Sequence, residues 1–576
     1  MDNSQIRSII EASNIDIQES LYSEKHTFLV TNPSNIISLI TLLKEQAGFE
    51  FLLDITAIDY SEYKADKKPY RFYVVYQLRH KDWLNTCTVK APILDAQDGI
   101  DSILLLFKAA DWLERETWDQ YGINFKGHPN LKRLLNHHQF VGHPLRKDYP
   151  IQKGQLCTET DNMYDQMTDR MRQKGLINSN ETCEDKDVQQ RFMFLNLGPS
   201  HPATHGTLRN FCALDGETIV TAVSEIGYLH RGFEKSCENH TYNQIIPYTD
   251  RLNYCSPIAN NVAFSKTIEE MLGVTIPDRA IFIRVMVTEL MRITDHLVCL
   301  AANLVDLGAL TNFFYLFAPK EAINELMSKL TGARLTSSYT RIGGLSQDIY
   351  DGFLDDLEIV LQKVEKSVGD ALTLIEHNRI FQDRTQNICA VSAQEAINLG
   401  FSGPHLRASG VQCDMRVNNP YYYYDSFDFD MAVGSVGDTY DRMMVRFEEI
   451  RQSVKIIRQA SKKLPGGPII VPDFNIALPP KQQVYNTIEG VMNQFKLIFE
   501  GVKVPAMEHY GAIEAANGEL GFFVVSDGSG TPYKVKVRAP SMTMMAAFPS
   551  MIEGHMIADA VIALGSINII AGELDR

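Results

Sequence analysis

Histidines at 201 and 205 stand in the run GPSHPATHG, residues 198–206, where two Gly and two Pro shape the backbone enough to hold a side chain at a fixed point. Two histidines four apart suggest a metal pair. That geometry needs a helix, however, Pro202 lies between them, and the glutamate of an H-E-x-x-H base is missing. A ligand-facing histidine is the better reading, with two surface histidines as its rival. Two further runs follow: IGYLHRGFEK, 226–235, carries Arg231, and PYTDRLNY, 247–254, ends on Tyr254. As one of 24 tyrosines, Tyr254 reads from its own surroundings as a core residue with a satisfied hydroxyl. Glu289, Arg292 and His296 recur at spacings of three and four, so on a helix they form a polar ridge, suited to a functional network or to structural ion pairing. Asp306 falls near the expected end of that helix, just before Gly308, a suitable capping residue. The negative end of the helix dipole and partial desolvation both raise a carboxyl pKa there, which suits a proton relay; an Asp exposed at a frayed end is the alternative.

The elements that must position these residues are legible in outline. Residues 279–307 are apolar on nearly all sides, the mark of a helix buried in the centre of a bundle. From 354 onward, Leu357, Leu361, Val364, Val368, Leu372 and Ile375 recur at spacings of three and four, an amphipathic outer helix, and another covers 440–462. A hairpin turns at Asp215-Gly216, and 521–525 and 533–537 look like strands. Before these, 1–150 reads as a compact α+β unit. Strands are expected at 51–55, at 70–78 with Tyr70, Phe72, Val74, Tyr76 and Leu78 on one face, and at 84–89. A helix N-capped by Asp101, with Ile103, Phe107 and Ala110 on one stripe, runs toward Trp118. Residues 151–190 are polar and lack a convincing apolar stripe, so they read as a linker, part of it helical.

Size and composition bound the function. A chain of 576 residues exceeds what one core supports, so two or more units are expected. With 55 basic and 71 acidic side chains the formal charge is -16, which repels nucleic acid and anionic lipid. The nine cysteines form no C-x-x-C pair, which argues against a cluster held wholly by this chain, and their scatter argues for a reducing compartment. The first 13 residues carry Asp2, Arg7 and Glu11, unlike a signal peptide. The apolar segment 556–571 is short and contains Asp559, Asn568 and Gly565-Ser566, so it reads as buried core, and any membrane association must come through partners.

Together with the histidine loop, the runs at 226–235 and 247–254 resemble the D subunit of the proton-pumping respiratory NADH:quinone oxidoreductase, complex I. The resemblance continues through ELMRITDH (289–296), DLGA (306–309), RIGG (341–344), LRASG (406–410), GDTYDR (437–442) and the final Asp575-Arg576. In the first unit, ERETWDQYGI (114–123), HPNL (128–131) and HPLRKDY (143–149) resemble the C subunit. The resemblance implies a fused C/D chain with an α+β fold: a 30 kDa-like α+β unit over 1–150, a linker over 151–190, and a larger, mainly helical 49 kDa-like unit with β-hairpins over 191–576. The D family is in turn similar to the large subunit of nickel-iron hydrogenases, whose metal is held by two C-x-x-C pairs. This chain lacks both, which implies a cavity where quinone replaces the nickel centre.

Quinone reduction needs two electrons and two protons, and hence donors at the headgroup carbonyls. The resemblance implies that His205 and Tyr254 meet the headgroup and that Asp306 relays protons. It puts His201, Arg231, Glu289, Arg292 and His296 in the quinone or cluster environment, with Arg231 beside a partner's terminal cluster. Quinone is then substrate, no cofactor is bound by this chain alone, and FMN and iron-sulfur clusters sit on partner subunits. Those partners include a cluster-bearing B-type subunit and membrane-arm subunits, at the cytoplasmic side of a bacterial inner membrane. Two departures stand out: Thr336 where many relatives have histidine, and Asn312 where they often have proline. A purely structural scaffold and a hydrogenase-like subunit of a gas-evolving complex are the competing readings.

Overall fold

In a computed structural model, residues 3–576 are described apart from 14, 23, 24, 160–162 and 205, so His205 lies outside the described residues. The N-terminal part is a five-stranded sheet of β1 (Ile17–Tyr22), β2 (His26–Thr31), β3 (Phe51–Asp59), β4 (Phe72–Arg79) and β5 (Thr86–Ile93). Its order is β1-β2-β5-β4-β3, with β2 and β5 parallel and the other neighbours antiparallel. In β4, Phe72, Val74, Tyr76 and Leu78 enter the core beneath the helix Ile36–Glu45 and the helix Ala110–Tyr121. The opposite face is buried too: Tyr73 and Val75 pack on Phe523, Val525 and Tyr533 of the C-terminal part. The expected period-two strand is therefore covered on both faces, and Tyr70, which precedes it, joins the second cluster.

The helix expected from Asp101 begins instead at Ala110. Ile100–Asp101 pairs with Phe125–Lys126, and the buried Glu114 accepts from Ser102 Oγ (2.6 Å) and Ile103 N (2.8 Å), which keeps that segment out of the helix. Nor is 151–190 without an apolar stripe. The helix Tyr164–Gln173 places Met167 and Met171 one turn apart, and they pack with Cys183 and Val188 on Phe211, Ala213 and Val223. Those three residues belong to the hairpin Arg209–Asp215 and Thr218–Glu225, whose turn is led by Gly216 at φ +62°. The strand Met193–Leu197 completes that sheet.

The core of the second part is the helix Asp278–Asp306, called here the central helix, in which every residue from Ile283 to Leu297 is buried. It is flanked by the helices Leu310–Thr331 and Thr439–Lys463, and Gly308, at φ +86°, turns the chain out of it. The helix Phe353–Ile375 is amphipathic as expected, with Leu357, Leu361, Val364 and Val368 inward. Thr439–Lys463 is not merely an outer helix, because it buries Arg442, Arg446 and Glu449. The strands Met507–Ala515, Gly518–Ser526 and Lys534–Arg538 form a sheet against the N-terminal part. The segment expected at 556–571 is the buried helix Ile557–Ile567 and its cap. Among the described residues no helix is long and apolar enough to cross a membrane.

Charge as well as apolar surface joins the two parts. Arg79 and Glu519, both buried, pair at 2.9 Å, and the Tyr533 hydroxyl donates to the Asp59 carbonyl at 2.5 Å. Glu116 receives both Lys536 and Arg576 in a buried cluster with Glu234. Burial opposes the Glu116 charge, yet Arg576 and Lys536 bring its pKa down to about 2. Burial and the neighbouring Glu116 and Glu234 carboxylates raise Asp54 to about 6, against the pull of Lys536. Removing the anion between two buried cations is costly, so Glu116→Ala is expected to lose roughly 3–5 kcal/mol in urea denaturation of the whole chain. A loss below about 1 kcal/mol would show that Glu234 alone neutralises the cluster.

Candidate functional site

Three segments between Gly206 and Leu252 converge on the distant C-terminal stretch 571–576. Gly206, at the end of the histidine loop, lies against Ala571: a Cβ added there would meet the Ala571 Cβ at 3.4 Å. Gly572 is pressed so close to the backbone of Arg251 and Leu252 that a Cβ would come within 2.5 Å and 2.7 Å of their carbonyl oxygens. Arg231 donates to the Arg251 carbonyl at 2.7 Å and to the Gly572 carbonyl at 3.4 Å. Asp575 holds the loop before Arg231 by accepting from Gly227 N (3.0 Å) and Leu229 N (2.7 Å), and its carbonyl pairs with His230 Nδ1 at 2.7 Å. Arg231 is itself exposed, with a pKa lowered by partial burial and by Arg251. His201 is exposed, its carbonyl accepting from Thr204.

Tyr254 lies three residues beyond Arg251, on a segment clamped to the central helix. Asp295, fully buried, accepts from Asn253 Nδ2 (2.7 Å), Ser256 Oγ (3.1 Å) and Asn568 Nδ2 (2.7 Å). Pro257 then opens the helix Pro257–Leu272. The residues around Tyr254 are thus immobilised through side chains that never leave the core, while Tyr254 is half-buried and its hydroxyl has no hydrogen-bond partner among the described residues. Burial, with Cys255 and Asp295 nearby, raises its pKa, so the phenol is protonated at neutral pH.

The expected ridge is real and larger than its three members. Glu289 receives Arg292 (3.1 Å), Arg416 (3.1 Å), the Tyr424 hydroxyl (2.7 Å) and Ser453 (2.6 Å). His296 Nε2 is 2.7 Å from Glu449 Oε2, and Arg407 reaches both Glu449 (3.0 Å) and Glu514 (2.9 Å). Arg416 closes the circuit through Asp414 at 2.7 Å. Apart from Arg292 with Glu289 and Arg416 with Asp414, these partners stand 42 to 164 positions apart, so spacing alone did not expose Arg407, Asp414, Arg416, Glu449 or Glu514. A signal was present: Arg442, Arg446 and Glu449 repeat at four and three on the inward face of a helix otherwise lined by Met443, Phe447 and Ile450.

Comparison with known proteins decides what this framework belongs to. A family described as the respiratory-chain NADH dehydrogenase 30 Kd subunit matches residues 29–155, and one described as its 49 Kd subunit matches 306–576. The C/D subunit of NADH-quinone oxidoreductase from Bdellovibrio bacteriovorus is 47% identical over 540 residues, 94% of this chain and 93% of that protein. A C/D subunit of the same enzyme from Aquifex aeolicus is 38% identical over 573 residues, 96% of each chain. The D subunit from Myxococcus xanthus is 50% identical over 398 residues, 69% of this chain and 96% of the relative. The chain belongs to the fused C/D subunit family of NADH-quinone oxidoreductase. It is a subunit of complex I.

In this C/D subunit two carboxylates of the ridge, Glu289 and Glu449, are held ionised. Burial opposes ionisation of Glu289, but Arg292 and Arg416 hold its pKa at about 2, and Arg407 and His296 hold Glu449 well below the usual range. Burial raises Glu514 instead, so with three arginines facing four carboxyls it is the one that most readily keeps a proton. Burial also lowers the His296 pKa, against the pull of Glu449, and favours a neutral imidazole donating to Glu449. Asp306 ends the central helix as expected, about 16 Å beyond Asp295 at 1.5 Å per residue. It is exposed, so the partial desolvation expected of it is not supplied by this chain. Asn312 is buried and Thr336 partly buried. Among the described residues no group of three or more His, Cys, Asp or Glu is placed to hold a metal.

The depressed Glu289 pKa has a pH consequence. Its folded pKa, about 2, lies below the ordinary 4.5, so its contribution is complete above pH 4.5 and is lost as pH falls through 2. That span corresponds to about 3 kcal/mol. Glu289→Gln is expected to be less stable than wild type at pH 7 and to lose that part of the acid slope in denaturation at graded pH. Parallel curves for the two proteins would contradict an ionised, structural Glu289.

Proposed function

We propose that this subunit forms one wall of a quinone site, with Tyr254 and His205 donating to the headgroup carbonyls and Asp306 passing protons onward. The observation that carries this reading is the Tyr254 hydroxyl, half-buried, protonated and without a partner among the described residues on a segment locked by Asp295. A quinone carbonyl is the acceptor such a phenol lacks. Each reduced quinone takes up two protons, and an imidazole beside a phenol supplies one group that titrates near neutrality and one that holds its proton until the carbonyl oxygen becomes basic. Arg231 would stand beside the terminal iron-sulfur cluster of a B-type partner, where a fixed positive charge favours the reduced cluster. His201 would border the same site, and Glu289, Arg292 and His296 would keep its frame rigid.

In this reading quinone is the substrate, electrons arrive from NADH through FMN and clusters on other subunits, and this chain holds no cofactor by itself. Residues 1–150 form the C-like unit, 151–190 the connection, and 191–576 the D-like unit, shaped like a nickel-iron hydrogenase large subunit with quinone in place of the metal. Partner surfaces are at hand. Tyr228, Tyr248, Leu310 and Phe314 are exposed around the converging segments and Asp306, and the helix Ile488–Phe499 turns Ile488, Val491, Phe495 and Phe499 to solvent. A cluster-bearing subunit and membrane-arm subunits covering these faces would hold the chain at the cytoplasmic side of the inner membrane and desolvate Asp306. Protonation of the reduced quinone is then the event that the membrane arm converts into pumping.

The test is Tyr254→Phe in the purified native assembly. NADH-driven quinone reduction is expected to fall at least about tenfold, with electron transfer to an artificial acceptor unchanged. Loss of both activities, or of neither, would count against a headgroup role and favour a scaffold.

A further inference from the structure

An opening lies where the two halves of the chain meet. It is a cavity of about 480 Å³ bounded by β2, β4 and β5 on one side and by the strand Met507–Ala515 and residues 419–421 on the other. That volume suits a small molecule. Arg79, at the end of β4 and 2% exposed, lines it. Its Nη2 donates to Glu519 at 2.9 Å, while Nε and Nη1 have no hydrogen-bond partner among the described residues. Buried donors left unpaired on a permanent charge are costly, and an incoming acceptor removes the cost.

The other charges around the cavity favour an anion. Of its two lining carboxylates, Glu270 already takes Lys266 (2.6 Å) and His509 (2.9 Å), and Glu508 takes Lys90 and the Tyr60 hydroxyl. Lys25 at the rim donates to Asn419 Oδ1 at 3.3 Å and forms no ion pair among the described residues. Glu519 offsets Arg79 and Glu270 offsets Lys266, so Lys25 leaves a surplus of one positive charge around the cavity, inside a chain whose formal charge is -16. His26 lies 2.8 Å from the Thr86 hydroxyl and 3.1 Å from that of Thr88. Burial and His509 hold its pKa at about 4, so at neutral pH it contributes hydrogen bonding without charge. Phe28, Tyr421 and Phe523 supply apolar wall.

We infer that this cleft binds a small phosphate-bearing anion, its oxygens met by Arg79, Lys25 and Lys266 and any organic body held against the aromatic side chains. Three cations converging from separate elements match the several oxygens of a phosphate better than the two of a carboxylate. The site uses residues of both halves and none of the Tyr254 segment, so its test is independent of quinone reduction.

Equilibrium dialysis of the whole chain and of the intact assembly against inorganic phosphate and adenosine monophosphate checks it. One saturable site per chain is expected in both preparations, weakened about tenfold by Lys25→Gln or Lys266→Gln. Tighter binding of the nucleotide identifies a phosphate ester as the ligand; equal binding identifies free phosphate. Absence of saturable binding at millimolar probe, binding unmoved by both substitutions, or a site present in the isolated chain and missing from the assembly would each overturn the inference.

Discussion

Buried arginines cannot be left unmatched, and the second half of this molecule is organised around that requirement. Arg292, Arg407 and Arg416 lie in the core with Glu289, Asp414, Glu449 and Glu514. Each guanidinium is directional, so the ion pairs fix the angle and height of every element that contributes one. The central helix, the helix Thr439–Lys463 and the segments carrying Arg407, Asp414 and Glu514 are consequently locked together. Moving any one would strand a charge away from water, which costs far more than a lost apolar contact.

That rigidity reaches the site through Asp295. It lies on the central helix one residue before His296, and its three donors tie down the stretch around Tyr254 and the end of the helix Ile557–Ile567. From there the chain returns through Gly572 and Asp575 to the Arg231 loop. The end of the histidine loop at Gly206, Arg231 and the segment leading to Tyr254 thereby meet the same C-terminal stretch, and the close approach of the Arg251 and Leu252 carbonyls explains the glycine at 572.

Much of this was legible in the amino-acid sequence, for physical reasons. A helix apolar on all sides has nowhere to go but the centre, so the central helix and its ridge at 289, 292 and 296 follow from spacing. The family runs at 226–235 and 247–254 touch in the fold, where Arg231 donates to the Arg251 carbonyl. Partners distant in sequence leave no such trace: Arg407 and Glu514 are 107 positions apart. Tertiary contacts also overrode a local signal at Asp101, where Glu114 captures Ser102 and Ile103. The polar look of 151–190 hid its methionine stripe because the six side chains that turn inward, Met163, Met167, Met171, Ile177, Cys183 and Val188, are scattered among polar residues. Asp306 is the opposite case: its place at the end of the central helix was legible, and the burial expected of it is not found, since it stands exposed.

The central claim is that a charge-locked core presents one phenol, otherwise unsatisfied, to an acceptor outside this chain. A high-resolution structure of the native assembly with a quinone analogue bound tests it most directly. The account predicts a headgroup oxygen about 3 Å from the Tyr254 hydroxyl, with Asp295 still holding Asn253, Ser256 and Asn568. A headgroup seated elsewhere, with the Tyr254 hydroxyl bonded to protein instead, would contradict it.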